Sequence, residues 1–431
     1  MKILFVSGEL IGSAICQKLH KEGNEVKLYI HKPDWRRCLE GVVPKVNDWQ
    51  KELNWVGKEG LIIFDDVIFG EDQDELRREG YRVVGGSRLA DRLENERHYF
   101  HKILNDYGVA TLPSYDFSSV TKAIKFIKKN PDRWVIKQNS HISSLNYLGK
   151  NKNDVNDVVD VLREYKRRKI SPVHIQKFAD GVEVGVARYF NGNDWVGPVE
   201  INHEHKKLFN GDTGPLTPEM GTILWYADEN IRLFTDILDK LKPHLREIKF
   251  CGDIDINCII NEEGAWPLEA TPRFGTPASE IHVELNQSPW SDFLSAVSDG
   301  LPFVLDYSKE FGIAVSLTCP PFPYSPNIFN RIGNQLFPKK IIFKNLSEEE
   351  MNHIHFEEVS RLKDGAYKWS GQCGWVLHVT EKGKDIAEAR DKVYKIVSKI
   401  NLPNLHYRKD IGEKVMNNDL QKLKNGDGFN F

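Results

Sequence analysis

Gly252-Asp-Ile-Asp-Ile-Asn257 and Leu268-Glu-Ala-Thr-Pro-Arg-Phe-Gly275 read as two adjacent strands joined by the turn Asn261-Glu-Glu-Gly264. Successive side chains of a strand point to opposite faces, so Asp253, Asp255 and Asn257 share one face. Pairing across the hairpin brings Glu269 beside Asp255 or Asn257. A carboxylate and a neutral oxygen donor at strand spacing suit Mg²⁺, which takes oxygen ligands and is shared with substrate phosphates. A solvated polar strand face is the commoner reading of a lone acidic hairpin. Arg273 and the glycine turn that follow at once favour the metal site.

The hairpin sits in an α+β region. Its other strands are Trp134-Val-Ile-Lys137, His174-Ile-Gln-Lys-Phe178 and Val182–Phe190, with Asn191-Gly192 and Glu263-Gly264 as turns between antiparallel neighbours. A helix over Leu93–Tyr107 leads into it. The residues before that helix alternate differently. Apolar strands at Lys2–Val6, Glu25–Ile30, Leu61–Phe64 and Tyr81–Val84 are separated by helices at Ser13–Lys21 and Asp72–Glu79. That order predicts a parallel sheet with helices on both faces. Downstream, Cys319-Pro-Pro-Phe-Pro-Tyr-Ser-Pro326 stops any helix or central strand. Strands at Lys340–Phe343 and Trp375–Val379 and a helix over Asp385–Ile400 then predict a small α+β cap. The chain therefore reads as a multidomain α/β and α+β protein divided at 1–92, 93–305 and 306–431.

A length of 431 residues supports about three domains, each with its own core. Lys and Arg number 59 against 62 Asp and Glu, a net charge of -3, which excludes a generally basic, nucleic-acid-coating protein. No apolar run approaches the roughly 20 residues of a bilayer span, so no membrane partner is expected. The N-terminal Lys2 leads straight into a strand and a helix, unlike a signal peptide. Six scattered cysteines read as reduced thiols in a cytoplasmic protein.

Weaker motifs flank the hairpin. Gly8-Glu-Leu-Ile-Gly12 follows a strand and opens a helix, where backbone amides can cradle a phosphate; a structural tight turn is the alternative. The second strand ends Ile30-His31-Lys32 without a ribose-binding carboxylate, which argues against NAD. Lys137 ends an apolar strand and can meet a phosphate as a point charge, or be an ordinary surface lysine. Lys206-Lys207 and the turn-rich stretch Asn210–Pro215 form a basic loop.

The order of these pieces resembles phosphoribosylamine–glycine ligase (glycinamide ribonucleotide synthetase), a family of the ATP-grasp superfamily. Three stretches carry the resemblance over nearly the whole chain. Glu204-His-Lys-Lys-Leu-Phe-Asn-Gly-Asp-Thr-Gly-Pro215 with Glu219-Met-Gly-Thr222 is similar to the family's DHKR-x-x-DGD-x-GPNTGGMG loop. Leu268–Pro277 is similar to LEFN-x-RFGDPE. Gly374–Thr380, Ile386–Arg390 and Tyr407-Arg-Lys-Asp-Ile-Gly412 resemble the closing domain. The resemblance implies an N-terminal pre-ATP-grasp domain, a central ATP-grasp fold and a small C-terminal domain. It also implies a cytoplasmic enzyme of purine biosynthesis, monomeric or homodimeric. That enzyme uses ATP and Mg²⁺, or Mn²⁺, to convert glycine to an acyl phosphate that the amine of phosphoribosylamine attacks.

Residue roles follow from the same resemblance. Glu269 takes the place of the metal-binding Glu, with Thr271 at the family's Asn and Asp255 as a relocated second ligand. Arg97, Lys137, Ser143 and Ser144 stand at ATP-phosphate positions, Gln176, Lys177 and Phe178 beside the adenine, and Glu183 at the ribose. Asp212 and Arg273 hold the amino acid, with Thr213 and Gly214 next to them; Gly8 and Gly12 belong to the amine-binding loop. Three departures stand out. The glycine-rich flap is replaced by Lys137-Gln-Asn-Ser-His-Ile-Ser-Ser-Leu-Asn-Tyr147, Pro218 and Glu219 replace glycines beside the amino-acid site, and the first loop, Ser7–Ala14, lacks the family's Arg. A divergent ligase for another amino acid or amine, and a nucleotide-binding protein without turnover, remain alternatives.

Overall fold

The computed structural model describes residues 1–137, 147–149, 155–324 and 340–425. The N-terminal strands form a five-stranded, all-parallel sheet in the order Lys45–Val46, Glu25–Ile30, Lys2–Ser7, Leu61–Phe64, Arg82–Val84. Helices Ser13–Lys21 and Gly70–Arg78 alternate with these strands. The centre strand's Ile3, Leu4, Phe5 and Val6 are all fully buried, which explains their unbroken apolar run.

An eight-stranded sheet forms the middle of the molecule, and each adjacent pair in it is antiparallel. From one edge it runs Gly264–Thr271, Cys251–Asn261, Val182–Asn191, Trp195–Glu204, Gly221–Ala227, Phe311–Thr318, Trp375–Gly383 and Ile354–Phe356. Phe311–Thr318 pairs with Gly221–Ala227 on one side and with Trp375–Gly383 on the other. The expected division at 305/306 thus leaves the sheet unbroken: the C-terminal strands extend the central one. A two-stranded hairpin, Lys207–Phe209 with Thr213–Leu216, and two four-stranded sheets complete the fold among the described residues. One four-stranded sheet contains Ser114–Phe117, Val173–Lys177, Trp134–Lys137 and Tyr147–Leu148; the other contains Val359–Arg361, Tyr367–Trp369, Lys340–Phe343 and Ile400–Asn401.

The single helix expected over Leu93–Tyr107 is two helices, Arg88–Asn95 and Arg97–Asp106. Glu96 between them is extended (φ -124°, ψ 92°), and both its carboxylate oxygens accept from the Arg92 fork at 2.8 Å. The break sets Arg97 at the start of the second helix, close to the acidic hairpin. A backbone hydrogen bond of 2.6 Å from Gly85 N–H to the Cys251 carbonyl ties the parallel sheet to that hairpin.

Candidate active site

The hairpin closes at Asn261 opposite Gly264 and keeps step as far as Cys258 opposite Pro267. Pro267 has no N–H to give the ladder, and the register slips there, so Asn257 faces Glu269 and Asp255 faces Thr271. Glu269, Asn257 and Thr271 line a cavity of about 670 Å³, together with Arg97, Glu204 and Lys206. Asp255 does not line it. Its Oδ2 accepts from Asn202 Nδ2 at 2.6 Å. Asp255, expected as the second metal ligand, lies opposite Thr271, while the side chain opposite Glu269 is Asn257; the buried Oδ1 atoms of both have no hydrogen-bond partner among the described residues.

Lys206 is the hub of this wall. Its Nζ lies 2.8 Å from Glu204, 3.1 Å from Glu183 and 3.1 Å from Glu269. Burial opposes its charge, and the three carboxylates more than reverse that, holding it well above the ordinary lysine value. Arg97 reaches the other oxygen of Glu269 at 3.8 Å. Glu269, the neutral Asn257 Oδ1 and Glu204 make an all-oxygen donor set of the kind Mg²⁺ takes, with a lysine already offsetting the local negative charge. The basic loop noted in the sequence thus supplies the ammonium of the site, and Glu204, Lys206 and Asn257 join the expected residues.

The same sheet face continues as a buried polar seam. Gly185 lies between Asn202 and Asn257 in the ladder. A Cβ there would fall 2.2 Å from Asn202 Oδ1, so only glycine lets Asn202 cross the middle strand to Asp255. Asn202 Nδ2 also donates to Glu200 at 2.9 Å, and Glu200 in turn bonds His282. Burial works against a charged His282, but Glu200 and Asp253 outweigh it and raise the ring to about 9. A pKa raised on folding stabilises fully below the free value near 6.5 and loses that contribution as pH rises through 9. Thermal unfolding should therefore fall between pH 7 and 9.5 by an amount of order 2 kcal/mol in wild type. The fall should flatten in His282→Gln; equal falls in the two proteins would mean the ring carries no proton there.

Other expected contacts are already engaged within the chain. Arg273 lines the cavity, but its Nε and Nη2 donate to Glu94 Oε1 at 3.2 and 2.8 Å, so its fork holds a side chain where a substrate carboxylate was expected. Asp212 lies off the cavity, in the left-handed region (φ 52°), and accepts from Arg408 at 2.8 Å. Asp212, expected to face an amino-acid ammonium, here meets the guanidinium of Arg408. Thr213 and Gly214 are exposed in the small hairpin that follows. Pro218 lines the cavity, whereas Glu219 is buried behind it and accepts the His205 N–H at 2.5 Å. In the first loop, the Gly8 and Gly12 amides donate to Asp65 at 3.0 and 2.9 Å. A carboxylate just past the neighbouring strand Leu61–Phe64 thus occupies the cradle.

Of the residues expected at the nucleotide, Arg97 and Glu183 stand at the Lys206 cluster. Gln176 is buried in the strand Val173–Lys177, Lys177 pairs with Asp132 at 3.6 Å, and the Arg133 guanidinium lies 3.3 Å from the centre of the Phe178 ring. Lys137 ends its strand opposite His174. Ser143 and Ser144 lie outside the described residues.

Residues 95–279 match the family model "Phosphoribosylglycinamide synthetase, ATP-grasp (A) domain", and residues 338–414 match "Phosphoribosylglycinamide synthetase, C domain". Together the two span more than half of the chain. The phosphoribosylamine–glycine ligase of Helicobacter pylori strain J99 is 26% identical over 357 residues, which cover 79% of this chain and 78% of that protein. That of Streptomyces coelicolor is 24% identical over 441 residues, covering 96% of this chain and 99% of its own. The crystal structure of phosphoribosylamine–glycine ligase from Thermotoga maritima superposes with a TM-score of 0.73 at 21% identity, over 95% of this chain and all of that one. At that identity the superposition speaks for the fold.

Proposed function

The chain belongs to the phosphoribosylglycinamide synthetase family of ATP-grasp ligases, and we propose that it joins glycine to phosphoribosylamine, with ATP giving ADP and phosphate. One observation carries the reading: Glu269, Asn257, Lys206 and Arg97 form one wall of a cavity whose other walls bring Glu9 and Ile11 from the first loop and Glu357 and Trp375 from the C-terminal strands. A phosphoryl-transfer wall then faces room for two further substrates. The γ-phosphoryl group passes to the glycine carboxylate, and the amine nitrogen then attacks the acyl carbon and expels phosphate.

Glu269 and Asn257, with Thr271 beside them, are the residues that would hold Mg²⁺, or Mn²⁺ in its place. Bound there, the ion offsets charge on the β- and γ-phosphate oxygens. Arg97 adds a permanent cation to that wall, and Lys206 fixes the orientation of Glu269. Lys137 serves as a phosphate-side charge, Gln176–Phe178 flank the base, and Glu183 takes the ribose side. A glycine carboxylate takes the Arg273 fork by displacing Glu94. Among the described residues no helix is long and apolar enough to cross a membrane. A cytoplasmic monomer or homodimer acting on small molecules belongs to the same proposal.

Asn257→Ala should raise the Mg²⁺ concentration for half-maximal rate by about tenfold, whereas Asp255→Asn should change it by less than about threefold. A metal titration with the reverse ranking would restore Asp255 as the ligand. The overall reading is tested by phosphate release from ATP across a panel of amino acids, with and without phosphoribosylamine. Release that needs glycine and phosphoribosylamine together, with the amide product seen by mass, is the expected result. Pro218 on the cavity wall favours one second reading, a ligase for a different amino acid; release with another amino acid and not with glycine would establish it.

A further inference from the structure

A second polar cluster lies apart from the Lys206 wall. Glu280 belongs to the helix Ala278–Leu285, Glu357 follows the strand Ile354–Phe356, and His378 belongs to Trp375–Gly383. One ligand atom from each lies within 4.8 Å of the other two. All three side chains are buried, His378 and Glu280 completely.

Each member is held by a partner outside the trio. Glu280 accepts from Ser279 Oγ at 3.0 Å and Thr276 Oγ1 at 3.3 Å, and Glu357 accepts from Ser13 Oγ at 2.8 Å. His378 Nδ1 meets Ser316 Oγ at 3.1 Å across the ladder. Its other nitrogen, Nε2, has no hydrogen-bond partner among the described residues. A buried ring nitrogen left bare is costly unless a ligand satisfies it.

The charges point the same way. Burial, then the neighbouring Glu280 carboxylate, with Glu358 and Asp65 adding less, raises the Glu357 carboxyl well above its usual range, and burial lifts Glu280 to about 7. Burial also pulls His378 down to about 3, so its ring is neutral. Two crowded carboxylates and a neutral imidazole with its second nitrogen hydrogen-bonded match what a divalent metal ion requires of its ligands and of the groups behind them.

We propose that Glu280, Glu357 and His378 bind one divalent first-row metal ion, zinc in the first instance, tying the C-terminal strands to the helix after the acidic hairpin. Imidazole nitrogen and carboxylate oxygen are both zinc ligands, and three protein ligands leave a fourth position for water. Glu357 lines the cavity, which gives the ion a path in. The neighbouring trio Glu284, His353 and Glu381 differs in that both ring nitrogens of His353 face carboxylates, Nδ1 at 2.8 Å from Glu284 and Nε2 at 3.7 Å from Glu381, and Lys382 stands 3.6 Å from Glu284.

The test uses the full chain stripped with a chelator and titrated with Co²⁺ without nucleotide. Wild type should take up about one equivalent, with the visible absorption of a low-coordinate Co²⁺ site that Zn²⁺ abolishes. Glu269→Gln should bind Co²⁺ equally, which separates this site from the ATP side. His378→Gln and Glu280→Gln should lose the band while keeping the wild-type circular dichroism. No band in wild type, or a band that persists in His378→Gln, would overturn the proposal. The wild-type titration decides it alone if the variants do not fold.

Discussion

Glu269→Gln is expected to lower the rate of phosphate release by about a thousandfold or more at saturating ATP and Mg²⁺, an effect of roughly 4 kcal/mol on the barrier. The substitution keeps size and removes one charge at the point where Lys206, Arg97 and the proposed ion meet. Glu269 keeps 40% of its side chain exposed, so losing its charge should cost the fold little. The thermal midpoint should stay within a few degrees of wild type. Excess Mg²⁺ should not restore the rate, because the lost group also positions Lys206. Near wild-type turnover in the purified variant would remove Glu269 from the phosphoryl-transfer wall.

The main architecture was legible because it depends on periodicity. Ile3 to Val6 are apolar without a break because both sides of their sheet are covered, and the strands around Asp253 alternate because one face carries polar groups. Finer placement was not legible, for identifiable reasons. Which residue faces Glu269 depends on a one-residue slip at Pro267: without it Glu269 would pair with Ile256, and with it the partner is Asn257. Lys206 sits beside Lys207 in sequence, but only the first turns inward to Glu183, Glu204 and Glu269. The Gly8–Gly12 loop has the form of a phosphate cradle, and nothing local shows that Asp65, far along the chain, fills it. Arg273 and Glu94 are likewise distant in sequence, and only the fold brings them together. Local patterns fixed the elements; the partners of the charged groups came from tertiary packing.

The same rule governs the loop carrying Asp212, where the largest stability effect is expected. Arg408 is 1% exposed, and its Nε and Nη2 grip Asp410 at 2.8 Å while Nη1 donates to Asp212 at 2.8 Å and to the Lys207 carbonyl at 3.1 Å. Asp410 also accepts the Gly211 N–H at 2.7 Å, and Asn210 Oδ1 accepts the Lys409 N–H at 3.1 Å. Two stretches about two hundred residues apart are thus stapled through one guanidinium. Removing one partner of a buried ion pair costs about 3–5 kcal/mol, and here Lys414, 3.5 Å from Asp212, stays as a second cation. Asp212 retains 38% exposure, so the low end, about 3 kcal/mol, is expected for Arg408→Met. Lysine cannot reproduce the fork, and Arg408→Lys should recover less than half of that loss. A double-mutant cycle with Asp212→Asn, read from denaturant midpoints, should give a coupling above about 1 kcal/mol. Strict additivity would mean that Arg408 acts through Asp410 alone and that the loop docks without it.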